Sequence, residues 1–127
     1  MWKSLALAIT LFAAAPAAAE IDYARRARDL AALSRLFGEL HHIRRSCEPR
    51  NEADVWRERM KALIELEMPQ ADLRQDMVAA FNDGYRDAER RFAYCDRDAR
   101  DYAATIAAEG DDIATRLVEP LYDAIAR

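Results

Sequence analysis

Turn-forming residues are scarce in this chain: three glycines and four prolines in 127 residues. No stretch alternates polar and apolar side chains with β-branched enrichment, and no Asn-Gly or Asp-Gly pair joins two such runs. Hairpins and sheets are therefore not expected. Lysine is almost missing too, with only Lys3 and Lys61, so arginine carries nearly all the positive charge. Acids outnumber bases, 23 against 19, which argues against the basic footprint that nucleic-acid binding needs. Histidine occurs twice, at His41 and His42, and cysteine twice, at Cys47 and Cys95. There is no Cys-x-x-Cys-His, so covalent c-type haem is excluded. No nucleophile elbow, phosphate loop or zincin helix occurs either.

Long apolar runs are confined to the N-terminus, "MWKSLALAITLFAAAPAAAE". Lys3 supplies a positive start, Leu5 to Ala15 an apolar run and Ala17-Ala18-Ala19 a small-residue cleavage site. This is the pattern of a secretory signal peptide cut after Ala19. The run stops at Pro16, too short to span a bilayer comfortably. Residues 20–127 then form one domain of about 108 residues, with no transmembrane segment and a periplasmic location. Without Lys3, the mature chain carries a net charge of about −5.

Two cysteines in an oxidising compartment imply one disulfide, Cys47–Cys95, the only intramolecular pairing available. In the chain-entropy picture it stabilises the fold by about 4 kcal/mol.

Apolar spacings of three and four mark helices. The first is expected from about Asp22 to Ser46, with Leu30, Leu33, Phe37, Leu40 and Cys47 on one stripe. Pro49 stops it, and Asn51 is the expected N-cap of the second, about Glu52 to Met68, with the stripe Trp56, Met60, Leu63 and Glu67. Pro69 ends that helix, and Asp72 caps a third over about Leu73 to Tyr94. Asp96 or Asp98 caps a fourth, which Pro120 ends or kinks. Short connections favour an antiparallel four-helix bundle, up-down-up-down, in which the first and third helices run parallel and bring the two cysteines together. Gly84 and Gly110 sit on apolar stripes, where close backbone approach offsets their low helix propensity.

The eye-catching segment is "LHHIRRSC", Leu40 to Cys47. Glu39-x-x-His42 has the spacing of di-iron bundles, but a second such motif is impossible with two histidines. Both residues are also expected on the face opposite Leu33 and Leu40, toward solvent. His41, His42 and Cys47 point in different directions, so a zinc site lacks convergent ligands. No metal or cofactor is expected. Charges on apolar stripes are more informative. Arg44 falls between Leu40 and Cys47 with His41 at its edge, and Glu67 and Glu109 fall on or beside apolar stripes. An ion pair of Arg44 with Glu67 or Glu109 is expected. It is either structural, which the residues favour, or part of a pocket for an anionic or polar ligand.

These features resemble a small family of secreted alphaproteobacterial proteins known as a domain of unknown function. Its pattern runs Leu-His-x-Leu-Arg, Cys, Trp-Arg-x-x-Met, Phe-Asn-x-Gly-Tyr, Tyr-x-x-Cys and a late Glu-Gly. Here stand Leu40-His41-His42-Ile43-Arg44, Cys47, Trp56-Arg57-Glu58-Arg59-Met60, Phe81-Asn82-Asp83-Gly84-Tyr85 and Glu109-Gly110. Ile43 replaces a leucine, and Tyr94 directly precedes Cys95 instead of standing three residues before it. The resemblance implies a shared fold and export, directs attention to His41, Arg44, Glu67 and Glu109, and supplies no activity.

The sequence thus leads to a non-enzymatic role, with binding to an envelope protein or cell-wall component. The alternatives are a ligand-binding protein or enzyme built on the His41/Arg44/carboxylate cluster, and a self-associating structural protein.

Overall fold

In the computed structural model the described residues are 17–126, with side chains described from Asp22 onward. The expected signal peptide falls largely outside them. Four helices follow one another: α1 (Ala17–Cys47), α2 (Val55–Glu67), α3 (Ala71–Arg91) and α4 (Arg97–Ile125). There is no strand among the described residues.

The helix ends follow local chemistry. Glu48 precedes Pro49, whose ring disfavours helical backbone in the residue before it, and α1 stops there. Asn51 is not the cap expected of it. Asp54 occupies the N-cap position of α2 and makes no side-chain cap bond. At the other end of α2, Met68 adopts the left-handed conformation (φ 43°, ψ 54°). Its N–H reaches the carbonyl of Ile64 at 3.0 Å, and Pro69 prevents continuation. Asp72 lies within the first turn of α3 rather than at its cap. Asp96 does cap α4, accepting from the N–H of Ala99 at 2.8 Å. Pro120 does not end α4, which continues to Ile125.

The up-down-up-down order holds. Arg26 meets Glu67 and Phe37 meets Trp56, so α2 runs antiparallel to α1. His41 lies against Phe81 and Tyr85 and His42 against Phe92, so α3 runs parallel to it. Asp29 meets Arg116 and Glu39 meets Tyr102, so α4 returns. The helices are not equivalent, however. α1 is the hub: α2, α3 and α4 each pack on it far more than on one another. Its Leu30, Leu33, Leu36 and Leu40 form the centre of the core, joined by Met60, Leu73, Met77, Ile106, Ile113 and Leu117. Each such aliphatic side chain contributes about 1.5–3 kcal/mol by leaving water.

Being the hub has a consequence for polar residues. Every residue from Gly38 to Ile43 is buried, so this part of α1 has no solvent face. Glu39 and His42, expected toward solvent, are 4% and 7% exposed. The stripe reading assumed one apolar face against one wet face, whereas partners surround α1 here.

Glycine makes the tightest contact possible. A Cβ on Gly38 would overlap the Phe81 carbonyl oxygen, and one on Gly84 would overlap that of Arg35. The α1 and α3 backbones therefore touch at this crossing. Gly110 has no such role, because a Cβ there would meet Leu33 and Leu36 at 3.7 and 3.8 Å, ordinary contact distances.

Candidate functional site

Cys47, closing α1, and Cys95, in the connection between α3 and α4, are disulfide-bonded. Next to this staple lie the buried polar residues of α1. Burial holds the His41 imidazole below its ordinary pKa, and the Arg45 cation adds to the effect. Its ring packs between Phe81 and Tyr85, with centroids at 5.7 and 5.5 Å. Its Nδ1 has no protein partner. His42 stands edge-on to Tyr85, and its Nε2 donates to the Phe92 carbonyl at 2.7 Å. Because a carbonyl only accepts, this bond requires the proton on Nε2. His42 thereby ties α1 to the end of α3.

One turn earlier is a charged network. The Tyr102 hydroxyl donates to Glu39 at 3.0 Å. Arg35 lies 3.6 Å from the same carboxylate and also pairs with Asp87. Arg91 stacks over Tyr102, 4.6 Å from the ring centroid, and donates to its hydroxyl at 3.3 Å. Desolvation pushes the Glu39 carboxyl up, although Tyr102 and Arg35 oppose the shift. Desolvation, with the neighbouring Glu39, likewise raises the Tyr102 phenol. The hydrogen bond from Arg35 holds Asp87 below the ordinary carboxylate value. The acid, phenol and guanidinium groups are satisfied by one another, an arrangement that fixes α4 on α1.

The cluster drawn from the sequence does not assemble. Arg44 is half-buried and pairs with Glu48 at 3.2 Å and Glu52 at 3.5 Å, while its Nε is left without a partner. Glu67 is at the far end of the bundle, held by Arg26 through contacts of 2.6 and 3.2 Å. Glu109 is exposed on α4. Arg44 fails to reach either carboxylate because the antiparallel run of α2 carries Glu67 away from it and Glu109 faces outward. What Arg44 does line is an open groove of about 310 Å³, floored by Leu40 and Ile43 and walled by Trp56, Arg100 and Ala103. Among the described residues, no three His, Cys, Asp or Glu side chains are grouped to hold a metal.

Arg26 was the missed partner. It continues the apolar stripe of Leu30, Leu33, Phe37 and Leu40 backward by four residues, a position at which a cation needs an acid. Besides Glu67, it donates to the carbonyl of Leu117 at 2.9 Å. This bond ties the start of α1 to α4 three residues before Pro120. Arg35 and Asp87 carried no comparable signal, since their pairing depends on the glycine crossing.

Around Arg26 the surface changes character. Tyr23 lines one groove with Pro120 and Asp123, about 430 Å³ in volume, and another with Met68 and Pro69. The α1 start, the α2–α3 turn and the α4 tail therefore share one end. This end carries Tyr23, Leu66, Met68, Val118, Leu121, Tyr122 and Ile125, all exposed. The only other exposed large apolar side chains among the described residues are Val78 and Tyr94. Leu66 and Met68, at 80% and 82%, and Ile125, at 83%, lie almost wholly in solvent. No helix among the described residues is long and apolar enough to cross a membrane.

No curated protein and no solved structure matches the chain. A family model described as a protein of unknown function, DUF2385, matches residues 26–120, from Arg26 in the ion pair to Pro120 in α4. The matched residues take in Cys47 and Cys95 and parts or all of the four helices, and the chain belongs to the DUF2385 family.

Proposed function

We propose that this is an exported periplasmic protein that works by binding a component of the cell envelope, without catalysing a reaction. The observation that carries the reading is the apolar end around Tyr23, Leu66, Met68, Tyr122 and Ile125. Apolar side chains gathered at one place on a small domain mark a contact surface, whereas scattered ones do not. The Cys47–Cys95 bond is in keeping with an oxidising compartment. Glu39, Tyr102, Arg35 and His42 are occupied with partners inside the fold, which supports a structural role for them.

A photo-crosslinking residue at Ile125, in cells that make the protein, tests the reading. Adducts with an envelope component are expected there, and none from the same residue at Val78. Equal, sparse labelling at both positions would contradict it.

A second reading has one observation in its favour, the groove beside Arg44 and Arg100. There a small anionic ligand would meet two guanidinium groups above an apolar floor. Weakened ligand capture in Arg44→Met and Arg100→Met, with the apolar end intact, would support it over the first.

A further inference from the structure

We propose that the groove beside Arg44 and Arg100 takes an amphipathic monocarboxylate, a carboxylate carried on an aliphatic body; this rests on the second reading above and names the ligand class. Three observations carry it.

The first is how the groove is built. α2 and α4 each pack on α1 and hardly on one another, so a cleft runs between them over α1. Leu40, Ile43, Arg44 and Cys47 form its α1 side at i, i+3, i+4 and i+7. Arg100, Ala103, Ala104 and Ala107 form its α4 side with the same spacing. Beyond Arg100 that side carries only methyl groups, too short to close the space, and about 310 Å³ stays open. Trp56 borders it from α2. An aliphatic chain laid along the cleft meets carbon on three sides.

The second is the state of the two guanidinium groups. Nη2 of Arg44 lies 3.2 Å from Glu48 and 3.5 Å from Glu52, both solvated carboxylates. Its Nε is buried without a partner, and a buried donor is costly while it stays unsatisfied. Nε and Nη2 share one edge of the guanidinium, an edge that a carboxylate can grip with both oxygens. A ligand carboxylate that replaces Glu52 there satisfies both nitrogens. Arg100 makes no ion pair among the described residues. Asp96, one turn before it, is engaged as the cap of α4, and Asp101 lies beside Arg97.

The third is charge, which selects the class of anion. Acids outnumber bases over the whole chain, 23 against 19, so at a distance the protein repels anions. The groove reverses this locally, with two arginines against Glu48. The groove around Tyr23 does not, because Asp22, Asp29, Glu119 and Asp123 line it beside three arginines. A bare inorganic anion would gain only two guanidinium groups open to water, a weak attraction that salt screens. An aliphatic body adds burial against Leu40, Ile43 and Trp56, which salt does not weaken.

The test is titration of the exported, purified protein with sodium octanoate below its micelle concentration. Trp56, the one tryptophan outside the expected signal peptide, reports by fluorescence, and equilibrium dialysis of octanoate gives an independent reading. Saturable binding of octanoate is expected, with acetate, inorganic phosphate and 1-octanol each bound at least about tenfold more weakly. Arg44→Met/Arg100→Met should weaken octanoate binding by about tenfold or more. Ala104→Phe, which fills the cleft from its rim, should weaken it as well. Leu121→Asp/Ile125→Asp, at the other end of the bundle, should leave it unchanged, and circular dichroism of each variant should retain the helical signal. Octanoate binding that the arginine variant and Ala104→Phe both leave intact would place the ligand elsewhere and overturn the inference. Equal binding of 1-octanol would also overturn it, since the guanidinium groups would then recognise nothing. Phosphate bound as tightly as octanoate, and lost in the arginine variant, would overturn the aliphatic class while the second reading stands. Binding of neither anion removes the inference and that reading together.

Discussion

Gly38 of α1 and Gly84 of α3 let two helix backbones touch, each glycine lying against a carbonyl of the opposite helix, of Phe81 and Arg35. At this distance Cα–H groups reach the facing oxygens, a weak contact that recurs where helices cross closely. The contact seats α3 deeply enough on α1 to bury His41 and His42 and to bring Arg35 to Asp87. Gly38→Ala and Gly84→Ala should each cost about 1–3 kcal/mol or more, because the obstruction is backbone and cannot turn aside. Gly110→Ala has room, and the helix-propensity gain of up to about 1 kcal/mol should leave it neutral or stabilising. Urea unfolding of the three variants checks the order.

Arg26 outranks Arg44 as a structural cation. Arg26→Ala removes a two-point ion pair with Glu67 and the donor to the Leu117 carbonyl, and should cost about 1–3 kcal/mol. Arg44→Ala breaks pairs with Glu48 and Glu52, both largely solvated, and should cost no more than about 1 kcal/mol. Denaturant midpoints of the two variants give the comparison. Equal losses would return Arg44 to the importance its place in the sequence suggested.

Two buried groups give opposite responses to acid. His41 has a lowered pKa in the fold. As pH falls below the ordinary imidazole value of 6.5, the unfolded chain takes up a proton that the folded one resists. The His41 contribution is therefore fully present above that pH and is lost as pH falls toward the folded pKa. Glu39 has a raised pKa, so its contribution is most favourable below the ordinary 4.5 and is lost as pH rises through the folded value. His41→Gln should remove the acid-induced weakening that starts near pH 6.5. Glu39→Gln should be more stable than wild type at neutral pH, with the advantage disappearing below pH 4.5. Unfolding free energies of the three proteins from pH 4 to 8 test both signs.

Reduction of the Cys47–Cys95 bond should lower stability by about 4 kcal/mol, given the 48-residue separation. A Cys47→Ser/Cys95→Ser protein should match the reduced wild type. Because the staple closes the end bearing His42, loosening should begin there, and hydrogen exchange at Phe92 to Arg97 should rise before exchange at Leu30 or Met77.

Four helices, their order and the cysteine pairing were legible because each rests on local signals: apolar spacing, the breaks at Pro49 and Pro69, and an even cysteine count. α4 was expected to end or kink at Pro120, and it runs on to Ile125, because one lost N–H weakens a helix without dictating where it stops. The orientation of Glu39 and His42 was not legible either. Periodicity identifies the more apolar face of a helix, but not how many neighbours surround it, and α1 has three. Arg44 was sought inside a cluster because its stripe is apolar. Only the path of α2 shows that Glu67 lies at the other end. The apolar end was hidden for a related reason: the exposure of Tyr23, Leu66, Met68 and Ile125 depends on which helices pack beside them, which spacing along one helix does not show.

The central claim, that the end opposite the disulfide is the working surface, can be tested on native side chains. Hydroxyl-radical footprinting compares Tyr23, Met68, Tyr122 and Tyr94, all exposed in the isolated fold, between purified protein and intact cells. The account predicts that Tyr23, Met68 and Tyr122 are protected in cells, while Tyr94, near the staple, is labelled equally in both. Equal labelling of all four in cells and in solution would contradict it.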